Sequence, residues 1–189
     1  MDFEKSPLVI ETMLKEYEML RQEIVASMQT RGSILTFSFT IIGAMFAASV
    51  AADSSQQILV SLILSFGVPS IAVFSLFQWL GEYQRMHRAG GFIKELEDRI
   101  NVLLKTNAMS WENHLRKGKL HMAYPYNSTI FAMLSISFVG TILGIFSSSL
   151  ASKNQWGWFL LSLIAHFAIF YIFSYKIEEI KKKWNSCNT

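Results

Sequence analysis

The chain has one cysteine and three prolines, and long stretches of it carry no charge at all. A single cysteine, Cys187 in a polar tail, excludes both a disulfide framework and a thiolate metal cluster. Charged residues make up only 16% of the chain and hydrophobic ones 51%, against roughly 25% charged in an ordinary soluble domain. Catalytic signatures are missing too. There is no paired-histidine metal helix, no glycine-rich phosphate loop and no nucleophile elbow. His87, His114 and His121 lack the spacing of metal ligands, so no catalytic residue, metal or cofactor is expected. Glu95, Glu97 and Asp98 read as the solvated face of a helix.

What is present is segregated. Ser33–Ala52 runs 20 residues without a charge, Gln57–Leu80 24 and Asn127–Ser152 26, while Asn154–Tyr175 holds only His166 as an ionisable group. About 20 apolar residues, rising about 1.5 Å each in a helix, cross a hydrocarbon layer of about 30 Å. The expectation is therefore an all-α membrane protein with four transmembrane helices in two hairpins. The segment before the first span is too polar and acidic for a secretory signal, so that span is expected to be retained.

Orientation follows from lysine and arginine. All but one of the 17 basic residues lie before the first span, between the second and third, or after the fourth; the exception, Lys153, is in a short turn. Both termini and the central loop are expected in the cytoplasm, with Trp79, Tyr124, Tyr126 and Tyr175 anchoring inner ends and Trp156 and Trp158 an outer end. The expected organisation is an N-terminal amphipathic helix over 1–32, a transmembrane hairpin over 33–80, a helical loop over 81–126, a second hairpin over 127–175 and a basic tail over 176–189.

Ser6-Pro7 reads as an N-cap followed by proline at the first helical position. Met13, Tyr17, Leu20, Ile24 and Ser27 then recur at spacings of four and three, the stripe of an amphipathic helix. This helix either continues into the first span or hinges at Gly32. In the central loop, Gly90-Gly91 is expected to stop the second span. Phe92, Leu96, Ile100, Leu103 and Leu104 then form one face of another amphipathic helix, and Ser110 caps a short piece over 111–117.

Small and polar residues inside the spans are the functional candidates. Ser33, Thr36, Thr40, Gly43 and Ala47 share one stripe, suited to helix packing or to lining a pore in an oligomer. Gly140 and Gly144 make a G-x-x-x-G packing pair. Pro69, in mid-span, implies a kink or a gating hinge, and His166 is a polar group within the membrane. Among the basic residues, Arg85, Arg88, Lys94, Arg99, Arg116 and Lys117, with Trp111 and Phe92 as stacking surfaces, suit anionic headgroups or a nucleotide-like polyanion.

The runs Glu16–Ile24 and Tyr83–Ile93, with Leu96-Glu97 and Trp111-Glu112 beyond, resemble small membrane effectors of bacterial anti-phage defence, of the Hailong type or the Kiwa membrane subunit. The resemblance implies a multi-pass protein of the bacterial inner membrane that depolarises the cell. It implies control through the cytoplasmic helices by a nucleotide, a short DNA or a regulatory protein. It carries over no binding residue position by position. The expectation is a homo-oligomeric channel-like effector, with a tetramer as the guessed assembly. A non-conducting sensor or scaffold that recruits a cytoplasmic partner is the alternative, and a small transporter the second.

Overall fold

The computed structural model describes residues 7–112, His114, residues 123–151 and four single helical residues, Ile164, Ala168, Tyr171 and Tyr175. All regular structure among the described residues is helical. Three helices are long and apolar enough to cross a membrane, which makes the chain an all-α protein compatible with a membrane-embedded state. Apart from those four residues, the fourth expected span, with His166 and the basic tail, falls outside the described residues.

Helix α1 is Pro7–Ala51, 45 residues without interruption. It starts at Pro7, where the missing N–H is one the first turn would leave unpaired anyway. It passes Gly32 without a hinge. Leucine, methionine, glutamate, lysine and arginine favour the helix in its charged half. In its charge-free half, a helix satisfies every backbone group internally, as hydrocarbon requires. Burial follows one stripe. Tyr17 and Leu20 are half-buried, and Ile24, Ser27, Ser38 and Ile42 are buried. The complementary stripe, including Met19, Gln29, Ser33, Thr36, Thr40, Gly43 and Ala47, is exposed throughout.

A 3₁₀ turn at Ser54–Gln56, closed by Gln56 N–H donating to Asp53 C=O at 2.9 Å, leads into α2, Gln57–Leu104. This helix widens to a π-turn at Ile63–Gly67, where the Val68 N–H reaches the Ile63 carbonyl, before regular α-helix resumes at Val68. The cause is Pro69. In a regular helix its ring would strike the Ser65 carbonyl, and it has no N–H to offer. One extra residue in the preceding turn relieves the clash and keeps the flanking groups bonded.

Gly90-Gly91 does not stop α2, contrary to the sequence expectation. Two helical glycines cost about 1 kcal/mol each relative to alanine. Burial of Ile93, Leu96 and Ile100 just beyond them contributes about 1.5–3 kcal/mol per side chain, which outweighs that cost. The helix ends instead at Lys105, whose φ of 52° is left-handed. Thr106 N–H donates to Asn101 C=O at 3.2 Å and Lys105 N–H to Val102 C=O at 3.3 Å, the paired bonds of a Schellman stop. Helix α3 is Ala123–Ala151.

The chain divides into two compact units, Met1–Gly43 with Ile71–Ser135, and Ala44–Ser70 with Ile136–Thr189. In the first, Ile24, Ala89 and Ile93 form a buried cluster flanked by Tyr17, Leu20 and Met86. In the second, Leu64, Ser65 and Val68 are buried beside Gly140 and Gly144.

Candidate functional site

Four groupings of polar or small residues stand out. The first is the exposed stripe of α1. The hydroxyl of Thr36 donates to Gly32 C=O at 3.1 Å and that of Thr40 to Thr36 C=O at 2.8 Å, the usual resting place of a threonine in a helix. Their oxygens keep lone pairs facing outward. Together with Gln29, Gly32, Ser33 and Phe37 they line an open concavity. Gly43 has no neighbour within 4 Å of where a Cβ would stand.

The second grouping is the G-x-x-x-G pair, which meets the π-turn of α2. The hydroxyl of Ser61 donates to Gly144 C=O at 2.8 Å. A Cβ on Gly144 would stand 2.5 Å from Ser65 N and 2.9 Å from Ser61 O, and would also collide with Ser65 Oγ. On Gly140 it would stand 2.8 Å from Val68 Cγ1 and 3.1 Å from Leu64 O. Both glycines serve close approach of backbones. Pro69 is buried beside this contact.

The third gathers the ends of the three apolar stretches. Arg31 lies over Trp79, 4.1 Å from the ring centroid, and 5.3 Å from that of Tyr83. Tyr126 closes the group at 5.7 Å from Trp79 and 4.9 Å from Tyr83, centroid to centroid. Trp79 is 2% exposed. A guanidinium on such rings gains about 0.5–2 kcal/mol, most where water is excluded.

The fourth contradicts the solvated reading of Glu97, which is 0% exposed. Its carboxylate accepts the Glu112 N–H at 3.0 and 3.1 Å and the Tyr17 hydroxyl at 3.4 Å. It therefore caps the turn that Ser110 opens, where His114 N–H returns to Ser110 C=O at 2.9 Å. Asn101 secures the approach to that turn, accepting Met109 N–H at 2.9 Å and donating to Met109 C=O. Arg21 lies 5.1 Å from the Trp111 centroid. Burial raises the Tyr17 hydroxyl above its ordinary pKa, and the Glu97 charge adds to the shift.

The basic candidates separate. Arg85, Arg88 and Arg99 are exposed on one face of α2, together with Phe92, which is 61% exposed rather than part of a buried face. The buried face runs instead through Ala89, Ile93, Leu96, Glu97 and Ile100. Arg85 is engaged by Glu23 at 2.7 Å, and that bond, with the charges of Glu23 and Glu82, raises its pKa. Lys94 is half-buried elsewhere on the helix, Trp111 is 54% exposed, and Arg116 and Lys117 lie outside the described residues. Among the described residues, no group of three or more His, Cys, Asp or Glu is placed to hold a metal ion.

Sequence reasoning missed two residues, Arg31 and Glu97. Arg31 stands four residues after Ser27 and so continues the Tyr17–Ser27 stripe. Glu97 stands four after Ile93 and three before Ile100, on the face they define. No protein-family model matches the chain, and no curated protein or solved structure matches it either.

Proposed function

We propose that the chain is the subunit of a homo-oligomeric, channel-like effector of the bacterial inner membrane, most simply a tetramer, that acts in anti-phage defence by depolarising the cell. One observation supports the reading above others. The same unbroken α1 carries a stripe packed against α2 through Tyr17, Ile24 and Glu97, and a stripe of Ser33, Thr36, Thr40, Gly43 and Ala47 that no described part of the chain covers. In a bilayer the uncovered stripe meets lipid, a second copy or a water path. Hydroxyl oxygens with outward lone pairs suit the last two. A signal received on the charged half reaches the apolar half through one rigid helix. The exposed face of Arg85, Arg88, Phe92 and Arg99 is where a nucleotide, a short DNA or a regulatory protein would be read, with four spans in the membrane and both termini and this face on the cytoplasmic side.

Proteoliposomes loaded with a potential-sensitive dye test the proposal. The wild-type chain collapses an imposed potential. The Thr36→Leu/Thr40→Leu variant still cross-links as an oligomer and conducts less. Cross-linking that yields only monomer, or conduction unchanged in the variant, defeats it. A second reading, a non-conducting sensor that recruits a cytoplasmic partner, is favoured by the Thr36 and Thr40 donors being spent on their own helix. It predicts silent proteoliposomes and a protein captured by the full chain in membranes.

A further inference from the structure

The guanidinium of Arg31 carries five N–H groups in one plane. Trp79 and Tyr83 occupy its surroundings through their rings, and rings do not accept in that plane. Among the described residues Nη1 meets Met86 Sδ, at 3.9 Å, a weak acceptor. Nε is buried without a partner among the described residues, and no carboxylate there pairs with the group. One turn earlier on the same face, Ser27 is 2% exposed, and its hydroxyl also lacks a partner among the described residues. Helical serines ordinarily donate to the carbonyl four residues back, as Ser38 does to Ile34. The buried Nε of half-buried Arg31 and the buried Ser27 hydroxyl are thus left for an acceptor the described chain does not supply.

Position narrows the chemistry of that acceptor. Arg31 stands two residues before the charge-free stretch that begins at Ser33. Trp79 and Tyr83 straddle the end of the second stretch at Leu80, and Tyr126 immediately precedes the third at Asn127. With those stretches in a bilayer, the cluster sits at the depth of the headgroups, where tryptophan and tyrosine concentrate. The anion met at that depth is phosphate, whose several oxygens match the fork of an arginine.

We propose that Arg31 and Ser27, framed by Trp79, Tyr83 and Tyr126, form a binding site for a phosphate group, carried by an anionic lipid headgroup. The cation is held by its rings, and its donor edge is kept for the lipid. Occupation would tie the junction between the charged and apolar halves of α1 to the membrane surface.

The test is thermal unfolding of the full-length chain in a zwitterionic detergent, titrated separately with phosphatidylglycerol and inorganic phosphate. Phosphatidylglycerol raises the wild-type midpoint. Arg31→Met, which keeps an apolar chain against the rings, needs about tenfold more lipid or more for the same rise, the loss expected when charge-assisted bonds go. Ser27→Ala weakens the response several-fold without lowering the lipid-free midpoint, and decides the matter should Arg31→Met fail to fold. Lys15→Gln, at an exposed residue paired with Glu11, titrates as wild type. A response to lipid alone assigns the site to the headgroup, and an equal response to inorganic phosphate assigns it to phosphate in general. Either supports the site. No response in the wild type, unchanged responses in both site variants, or an equal loss in Lys15→Gln overturns it.

Discussion

Adding one methyl group at Gly144 tests the close approach of α3 to α2. In Gly144→Ala the new carbon would stand 2.5 Å from Ser65 N and 2.9 Å from Ser61 O. Both are backbone atoms, which cannot swing aside, so α3 must retreat from α2. Overpacking of this kind costs about 1–3 kcal/mol, and rigid neighbours place it at the upper end. The retreat also breaks the bond from Ser61 Oγ to Gly144 O, now 2.8 Å, which is about 1 kcal/mol more. Replacing a helical glycine returns about 1 kcal/mol. The net expectation is a destabilisation of about 3 kcal/mol. Gly43→Ala provides the reference. That position has nothing within 4 Å, so only the helix-propensity gain of up to about 1 kcal/mol remains. Reversible unfolding of the detergent-solubilised protein by a denaturing detergent reads both. If Gly144→Ala is as stable as Gly43→Ala, the close approach of Ser65 to Gly144 is wrong.

Three further outcomes follow from local geometry. Lys105→Gly relieves a left-handed residue at the end of α2 and is expected to stabilise the protein by about 1 kcal/mol in the same unfolding assay. Glu97→Ala removes the acceptor of both Glu112 N–H and Tyr17 OH. It should cost about 2 kcal/mol and expose the 105–112 connection, read as faster limited proteolysis there; unchanged cleavage refutes the capping role. The raised pKa of Tyr17 means the folded chain holds that proton more tightly than the unfolded one. Its contribution is complete below the ordinary tyrosine value of 10.0 and is lost as pH rises through the higher folded value. The wild-type stability curve should therefore fall more steeply above that pH than the Tyr17→Phe curve, and parallel curves would refute the contact with Glu97.

Hydropathy made the three described apolar helices legible, because a bilayer-length run without charge has few other uses. The spacing of Tyr17, Ile24 and Ser27 marked the packed stripe of α1, and Gly140 and Gly144 announced a close contact, though not with which residues. Other features depend on tertiary balance, which pattern does not carry. Gly90-Gly91 looks like a stop until the burial of Ile93, Leu96 and Ile100 is set against it. Pro69 implies a disturbed turn, but its resolution as a π-turn depends on how α2 keeps its hydrogen bonds. In the sequence Phe92 leads an apolar face. Adjacent helical residues differ by about 100°, and the cluster chose Ile93, which turned Phe92 outward and Glu97 inward. A carboxylate at a core position reads as solvated until its donors, a tyrosine and a backbone N–H from distant segments, are placed around it.

The uninterrupted length of α1 has a mechanical meaning. At 45 residues the rod measures about 68 Å, more than twice the thickness of a hydrocarbon layer of about 30 Å. Arg31, clamped between rings, lies near its fulcrum. A pivot of about 10° there would swing an arm of about 35 Å through about 6 Å at its tip, roughly one helical turn. A small rotation at the charged arm would thus be enlarged along the length of the helix.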